Sequence, residues 1–222
     1  MKLEKLRERK KHSRWLEGIF SKNPVFVKGL ALPFAIMITT NLKNAVALSI
    51  IFACVLIPTV LLASLTGKYL PRWLSMMVYS LFAMALVIAS IPLIQPISPE
   101  IGDSLGIYIP IVAVNAVLQM LCLRYSEKNF SPTIMALTDA VTYSIGFCLA
   151  LCLIAALREY FGSGTLWGIS VQLPVRLSGL QVAFSGFILT AFFSAFFRFV
   201  KRFLLCLTYR RLSRHAEGTA PL

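Results

Sequence analysis

Acidic side chains are scarce here: nine Asp and Glu stand among 222 residues, against 22 Lys and Arg. None form the paired carboxylates that general acid–base chemistry uses. Both histidines, His12 and His215, lie in the tails, and no HExxH or GxSxG stretch occurs. That removes the common zinc- and serine-hydrolase patterns. The five cysteines (Cys54, Cys122, Cys148, Cys152 and Cys206) form no CxxC pair and sit in or beside apolar runs. A disulfide framework is therefore not expected, and such thiols are usually small packing residues. Cys148 and Cys152 share a helix face at i, i+4, but as neighbours in packing rather than as a metal pair. Gly162-Ser163-Gly164-Thr165 lacks the Lys of a phosphate loop and reads as a tight turn after a helix. The residues give no catalytic group and no metal site. Charge is also scarce, at 14% of residues against 58% hydrophobic with a mean hydropathy of +0.77, which excludes a soluble globular domain.

What the chain does have is apolar runs of about twenty residues, the length that crosses a hydrocarbon core. Four full spans are predicted at about 45–65, 74–94, 136–157 and 180–200. Two shorter pieces, 25–40 with Pro33 and 105–123 with Pro110 and Asn115, read as broken half-helices. Polar groups at mid-depth must face protein, a cavity or a bound species, because hydrocarbon satisfies none of them. The first apolar run begins only after Lys22, so no cleavable signal peptide is expected.

The net charge of +13 gathers at the ends. Residues 1–22 read as a basic amphipathic segment on the cytoplasmic membrane surface and 201–222 as a basic cytoplasmic tail. Beside so many spans these charges mark topology and anionic headgroups rather than nucleic acid. Lys68, Arg72, Arg124 and Lys128 fall in loops on the same side as both tails. Glu100 and Asp103 fall on the other, which predicts six crossings with both termini cytoplasmic. Asn44 to Phe52 (NAVALSIIF) echoes Asp139 to Phe147 (DAVTYSIGF), and each copy opens the helix after a broken piece. The expected architecture is an all-α integral membrane domain over 23–200. It consists of two inverted three-helix repeats, 23–95 and 104–200. Inside it ionisable side chains are few. Asp139 is expected at a helix N-terminus, either stabilised there by free amides or serving as an ion station. Arg158 and Glu159 end the same helix as a charge pair at the interface.

Several stretches together resemble a known family. They are Asn23-Pro-Val-Phe-Val27, Thr39-Thr40 with Asn44, Leu105-Gly-Ile-Tyr-Ile-Pro110 with Asn115, Asp139, and Arg158-Glu159 followed by Gly162-Ser-Gly-Thr-Leu166. Over roughly residues 20–168 the chain is similar to the Rnf/Nqr membrane-subunit family, on the branch holding the Rnf E and Nqr D subunits. The resemblance implies a six-helix inverted-repeat subunit of a complex in the bacterial inner membrane. Such complexes couple electron transfer to Na⁺ or H⁺ movement. It also implies a sister six-helix subunit as partner, with four thiolates from the two subunits sharing a [2Fe–2S] cluster.

The family's ligand positions are occupied here by Pro33 and Ala116, so no cofactor ligand is expected from this chain. Cys122 lies about 9 Å along a helix from Ala116. The favoured expectation is a divergent subunit that keeps fold and partners, with Asn115, Asp139, Arg158 and Glu159 as ion-path or structural candidates. One alternative relocates the ligands, with Cys122 joined by Cys54 or Cys148. Another is a small-solute or ion transporter component built on the same inverted repeat.

Overall fold

The computed structural model describes residues 23–97, 106, 108–126, 133–171 and 176–217. The expected amphipathic segment 1–22, the acidic loop with Glu100 and Asp103, and Lys128 lie outside them. Seven α-helices carry the described chain: α1 Leu32–Met37, α2 Leu42–Thr66, α3 Arg72–Ile94, α4 Tyr108–Ile111, α5 Ala116–Ser126, α6 Thr133–Arg158 and α7 Ala183–Glu217. A two-stranded antiparallel hairpin, β1 Thr165–Leu166 and β2 Ile169–Ser170, follows α6. Among the described residues five stretches are long and apolar enough to cross a membrane: Leu42–Thr66, Trp73–Ile94, Tyr108–Ser126, Thr133–Ser163 and Ala183–Val200. This is a mostly helical membrane protein.

α2 and α6 form the centre. Leu48, Ile51, Phe52 and Val55 of the one and Ala140, Phe147, Leu151 and Ile154 of the other are wholly buried. Phe52 and Phe147 stack with ring centroids 4.0 Å apart, and Phe34 of α1 meets Phe147 edge-on at 6.3 Å. Full burial of each such ring contributes about 1.5–3 kcal/mol. Two glycines let backbones touch. A Cβ on Gly67 would lie 2.4 Å from Ser126 Cα, where α2 ends beside α5, and one on Gly186 would lie 3.0 Å from Ile36 Cα, where α7 crosses α1.

Pro33 and Pro110 start helical pieces rather than breaking them, whereas Pro58 and Pro92 lie inside α2 and α3. Pro33 stands in the first turn of α1, and Pro110 is the third residue of α4. A first-turn amide has no intrahelical acceptor, so its loss to proline costs nothing there. The first interruption lies upstream, at Gly29 (φ 67°) and Ala31 (φ 64°). Asn23 opens the preceding turn, its Oδ1 accepting from Val25 N at 2.9 Å and Phe26 N at 3.0 Å. Gly29 closes that turn by donating to Val25 O at 3.2 Å, and Leu30 N donates to Pro24 O at 2.9 Å, a left-handed ending of the kind glycine favours. The second interruption falls at Asn115, which is extended (φ −60°, ψ 134°) between the 3₁₀ turn Val112–Val114 and α5.

Candidate functional site at the helix breaks

Arg158 is the largest fully buried side chain among the described residues. It ends α6, and its guanidinium donates to Ile36 O at 2.6 Å and Thr39 Oγ1 at 2.9 Å. On the other side it donates to Leu180 O at 3.0 Å, Gln181 O at 3.1 Å and Val182 O at 3.2 Å. The fork thus fastens the carbonyl end of α1 to the turn that leads into α7. A cation belongs at a helix C-terminus, where unpaired carbonyls carry partial negative charge. Glu159, 2% exposed, does the converse. Its Oε2 accepts from Leu42 N at the amide end of α2 at 2.7 Å, and its Oε1 accepts from Gly168 N at 3.1 Å and Thr165 Oγ1 at 3.2 Å.

The two neighbours therefore bond to separate partners rather than to one another, as their adjacency in sequence suggests. Each neutralises the opposite end of a different helix across the α1–α2 link. A π-helical turn, Glu159–Ser163, ended by left-handed Gly164, separates their directions.

Asp139 corrects another expectation. α6 begins at Thr133, so the carboxylate lies in its second turn and not at the free amides. Its partners are side chains: Tyr125 donates to Oδ2 at 2.5 Å and Arg124 lies 3.4 Å away. One turn further along, Tyr143 accepts from Lys28 Nζ at 2.5 Å, with the ammonium 4.6 Å from the ring centroid. That contact ties the first broken piece to the second half of the chain.

Asn115, 4% exposed, caps α5 by accepting from Val117 N at 3.0 Å. Asn115, Asp139 and the Arg158–Glu159 pair thus have separate partners and do not converge on one centre. Sequence reasoning passes over Gln119, whose Nε2 donates to Ser80 on α3. A second carboxamide one turn after Asn115 on an apolar helix is the available clue.

Pro33 and Ala116 hold matching places, each in the first turn of a half-helix and each exposed on this chain's surface. Neither side chain offers a donor atom. Of the cysteines, Cys122 is sealed inside the helix packing and Cys54 is exposed on α2. Cys148 and Cys152 face one another with sulfurs 3.9 Å apart. Among the described residues no three His, Cys, Asp or Glu gather as a metal site. A thiolate-held iron–sulfur cluster does not fit the residues this chain presents at its two half-helix starts.

Interrupted helices buttressed by a buried cation and anion define a polytopic α-helical membrane protein organised around its breaks. Residues 12–200 match the family model described as "Rnf-Nqr subunit, membrane protein". The chain is 32% identical over 159 residues to the E subunit of the ion-translocating oxidoreductase complex of Shewanella oneidensis, covering 71% of this chain and 67% of that one. It is 28% identical over 164 residues to the D subunit of the Na(+)-translocating NADH-quinone reductase of Photorhabdus laumondii, covering 74% and 78%. A third relative, the E subunit of the oxidoreductase complex of Shewanella piezotolerans, is 30% identical over 167 residues, covering 75% and 71%. The chain belongs to the Rnf-Nqr family of membrane subunits.

Proposed function

We propose that this chain is the six-crossing, inverted-repeat membrane subunit of an Rnf/Nqr-type ion-translocating electron-transport complex. It keeps its place beside a sister subunit without supplying iron ligands. The observation that carries the second clause is the occupancy of the two half-helix starts by Pro33 and Ala116, whose side chains have no lone pair to give a metal. The relatives' names, as complex subunits, support the first.

Support for the inverted repeat comes from equivalent positions in the two echoes. Phe52 and Phe147 meet face to face at 4.0 Å, as residues on a two-fold axis do. Ser49 donates to Ala45 O at 2.7 Å and Ser144 to Ala140 O at 3.0 Å, the same back-bond in each copy. With 25–40 as the sixth crossing, the basic loops and tails face the cytoplasm, which fits an inner-membrane protein. In this role the chain's own groups act as scaffold. Arg158 and Glu159 hold α1 in place, and the apolar packing of α2 and α6 walls a low-dielectric neighbourhood for the partner.

The test is iron content. In the purified complex, Ala116→Cys alone is expected to add no iron, because Pro33 leaves the other start without a thiol. Stoichiometric iron gained by that single variant overturns the ligand assignment. Accessibility labelling that puts the two termini on opposite faces overturns the inverted repeat.

A further inference from the structure

The second helix break carries two polar atoms that nothing so far uses. Asn115 Nδ2 and Gln119 Oε1 are both sealed from solvent and have no hydrogen-bond partner among the described residues. The rest of each group is committed. Asn115 Oδ1 holds Val117 N at 3.0 Å, its backbone N–H donates to Val112 O at 3.2 Å, and its carbonyl accepts from Gln119 N at 3.0 Å. One N–H of Gln119 Nε2 goes to Ser80 Oγ. One donor atom and one acceptor atom are thus left wholly without a bond, one helical turn apart on α5, where side chains at i and i+4 are neighbours.

We propose that this pair binds a water molecule in the break. The occupant must accept from Nδ2 and donate to Oε1. An anion only accepts and would be repelled by the Gln119 oxygen. A cation only donates or coordinates and would face the Asn115 amide hydrogens. A neutral molecule that does both at the size of one oxygen atom is water, and Ser80 Oγ, which accepts from Gln119, has its own proton to offer as a third bond. Buried waters make about three such bonds. A buried polar atom left bare is costly in a protein interior, and hydrocarbon outside the break offers no substitute. Asn115 is the eighth residue of the nineteen-residue stretch Tyr108–Ser126, so the water sits near mid-membrane. There it holds the 3₁₀ turn and α5 apart and forms an oxygen station beside Ala116.

The test is submillisecond X-ray hydroxyl-radical labelling of the full chain, read by mass spectrometry. Bound water generates radicals in place, so Cys122, wholly buried one turn beyond Gln119, is expected to be oxidised in the wild type. In Gln119→Leu, checked for unchanged helix content, that oxidation should fall about fivefold or more as the site loses its acceptor. Cys148 and Cys152, which are partly exposed, serve as dose controls. Unlabelled Cys122 in the wild type, or equal labelling in the variant, overturns the proposal. A map of the wild-type protein at water-resolving detail gives an independent answer. Density bridging the two carboxamides supports the site, and Asn115 Nδ2 bonded directly to Gln119 Oε1 overturns it.

Discussion

Replacing Arg158 by Met tests whether the buried guanidinium holds the first half-helix. Met keeps much of the aliphatic stem but removes the fork, taking one donor from each of five oxygens, on Ile36, Thr39, Leu180, Gln181 and Val182, of which those of Leu180 and Val182 keep Ser185. Hydrogen bonds to a charged group contribute about 1.5–3 kcal/mol each, though neighbouring groups relax and the sum is far from additive. Breaking a buried charged cluster costs about 3–5 kcal/mol, and we adopt that range. At about 2–4 °C per kcal/mol for a chain of this size, the melting temperature should fall by about 6–20 °C. Arg158→Lys keeps the charge but offers three donors to five acceptors, and its loss should lie between wild type and Met. The assay is thermal unfolding of the purified full chain in one detergent, followed by far-UV circular dichroism. Arg124→Met is the control: its pair with Asp139 is 45% and 36% exposed at 3.4 Å, and a pair so screened contributes under about 1 kcal/mol. If Arg158→Met melts within about 2 °C of wild type, the clamp is not holding α1.

Three other outcomes use the same measurement. Glu159→Gln turns an amide group toward Leu42 N or Gly168 N, whichever oxygen it replaces, and should cost about 1.5–3 kcal/mol. Trp167 sits at φ 59° beside Gly168 at φ 82° in the two-residue hairpin turn. Trp167→Asn supplies the Asn-Gly pair that such turns favour and should stabilise by about 1 kcal/mol. Gly186→Val places a branched side chain against the Ile36 backbone, 3.0 Å from its Cβ position. It should push α7 off α1 at a cost of about 1–3 kcal/mol.

Helix positions in the core are legible because runs of twenty apolar residues admit few other structures in a bilayer. The expected spans 45–65, 74–94 and 136–157 correspond to α2, α3 and α6 within a few residues. The breaks are legible only approximately, since a proline in an apolar run suggests the interruption. Its missing N–H is harmless in a first turn, and the true interruptions are left-handed Gly29 and Ala31 and extended Asn115. Asp139 misleads because Thr138-Asp139 looks like a helix start, whereas Pro132 before Thr133 is the sounder boundary. Arg158 and Glu159 stand out as residues but not as devices. Sequence shows that two opposite charges adjoin, and the π-helical turn that sends them to different helices has no local pattern to announce it.

The last helix also acts as a lever. α7 runs for 35 residues without interruption, of which 183–200 make the membrane-crossing stretch. It bears on the first segment from Gly186 at Ile36 to Phe197 at Phe26, and at about 1.5 Å per residue the arm from Phe197 to Glu217 is about 30 Å. A pivot of about ten degrees at that last contact would sweep the far end through about 5 Å. Small displacements of the first half-helix would thus be magnified well outside the lipid, on the scale of a neighbouring subunit's surface relief.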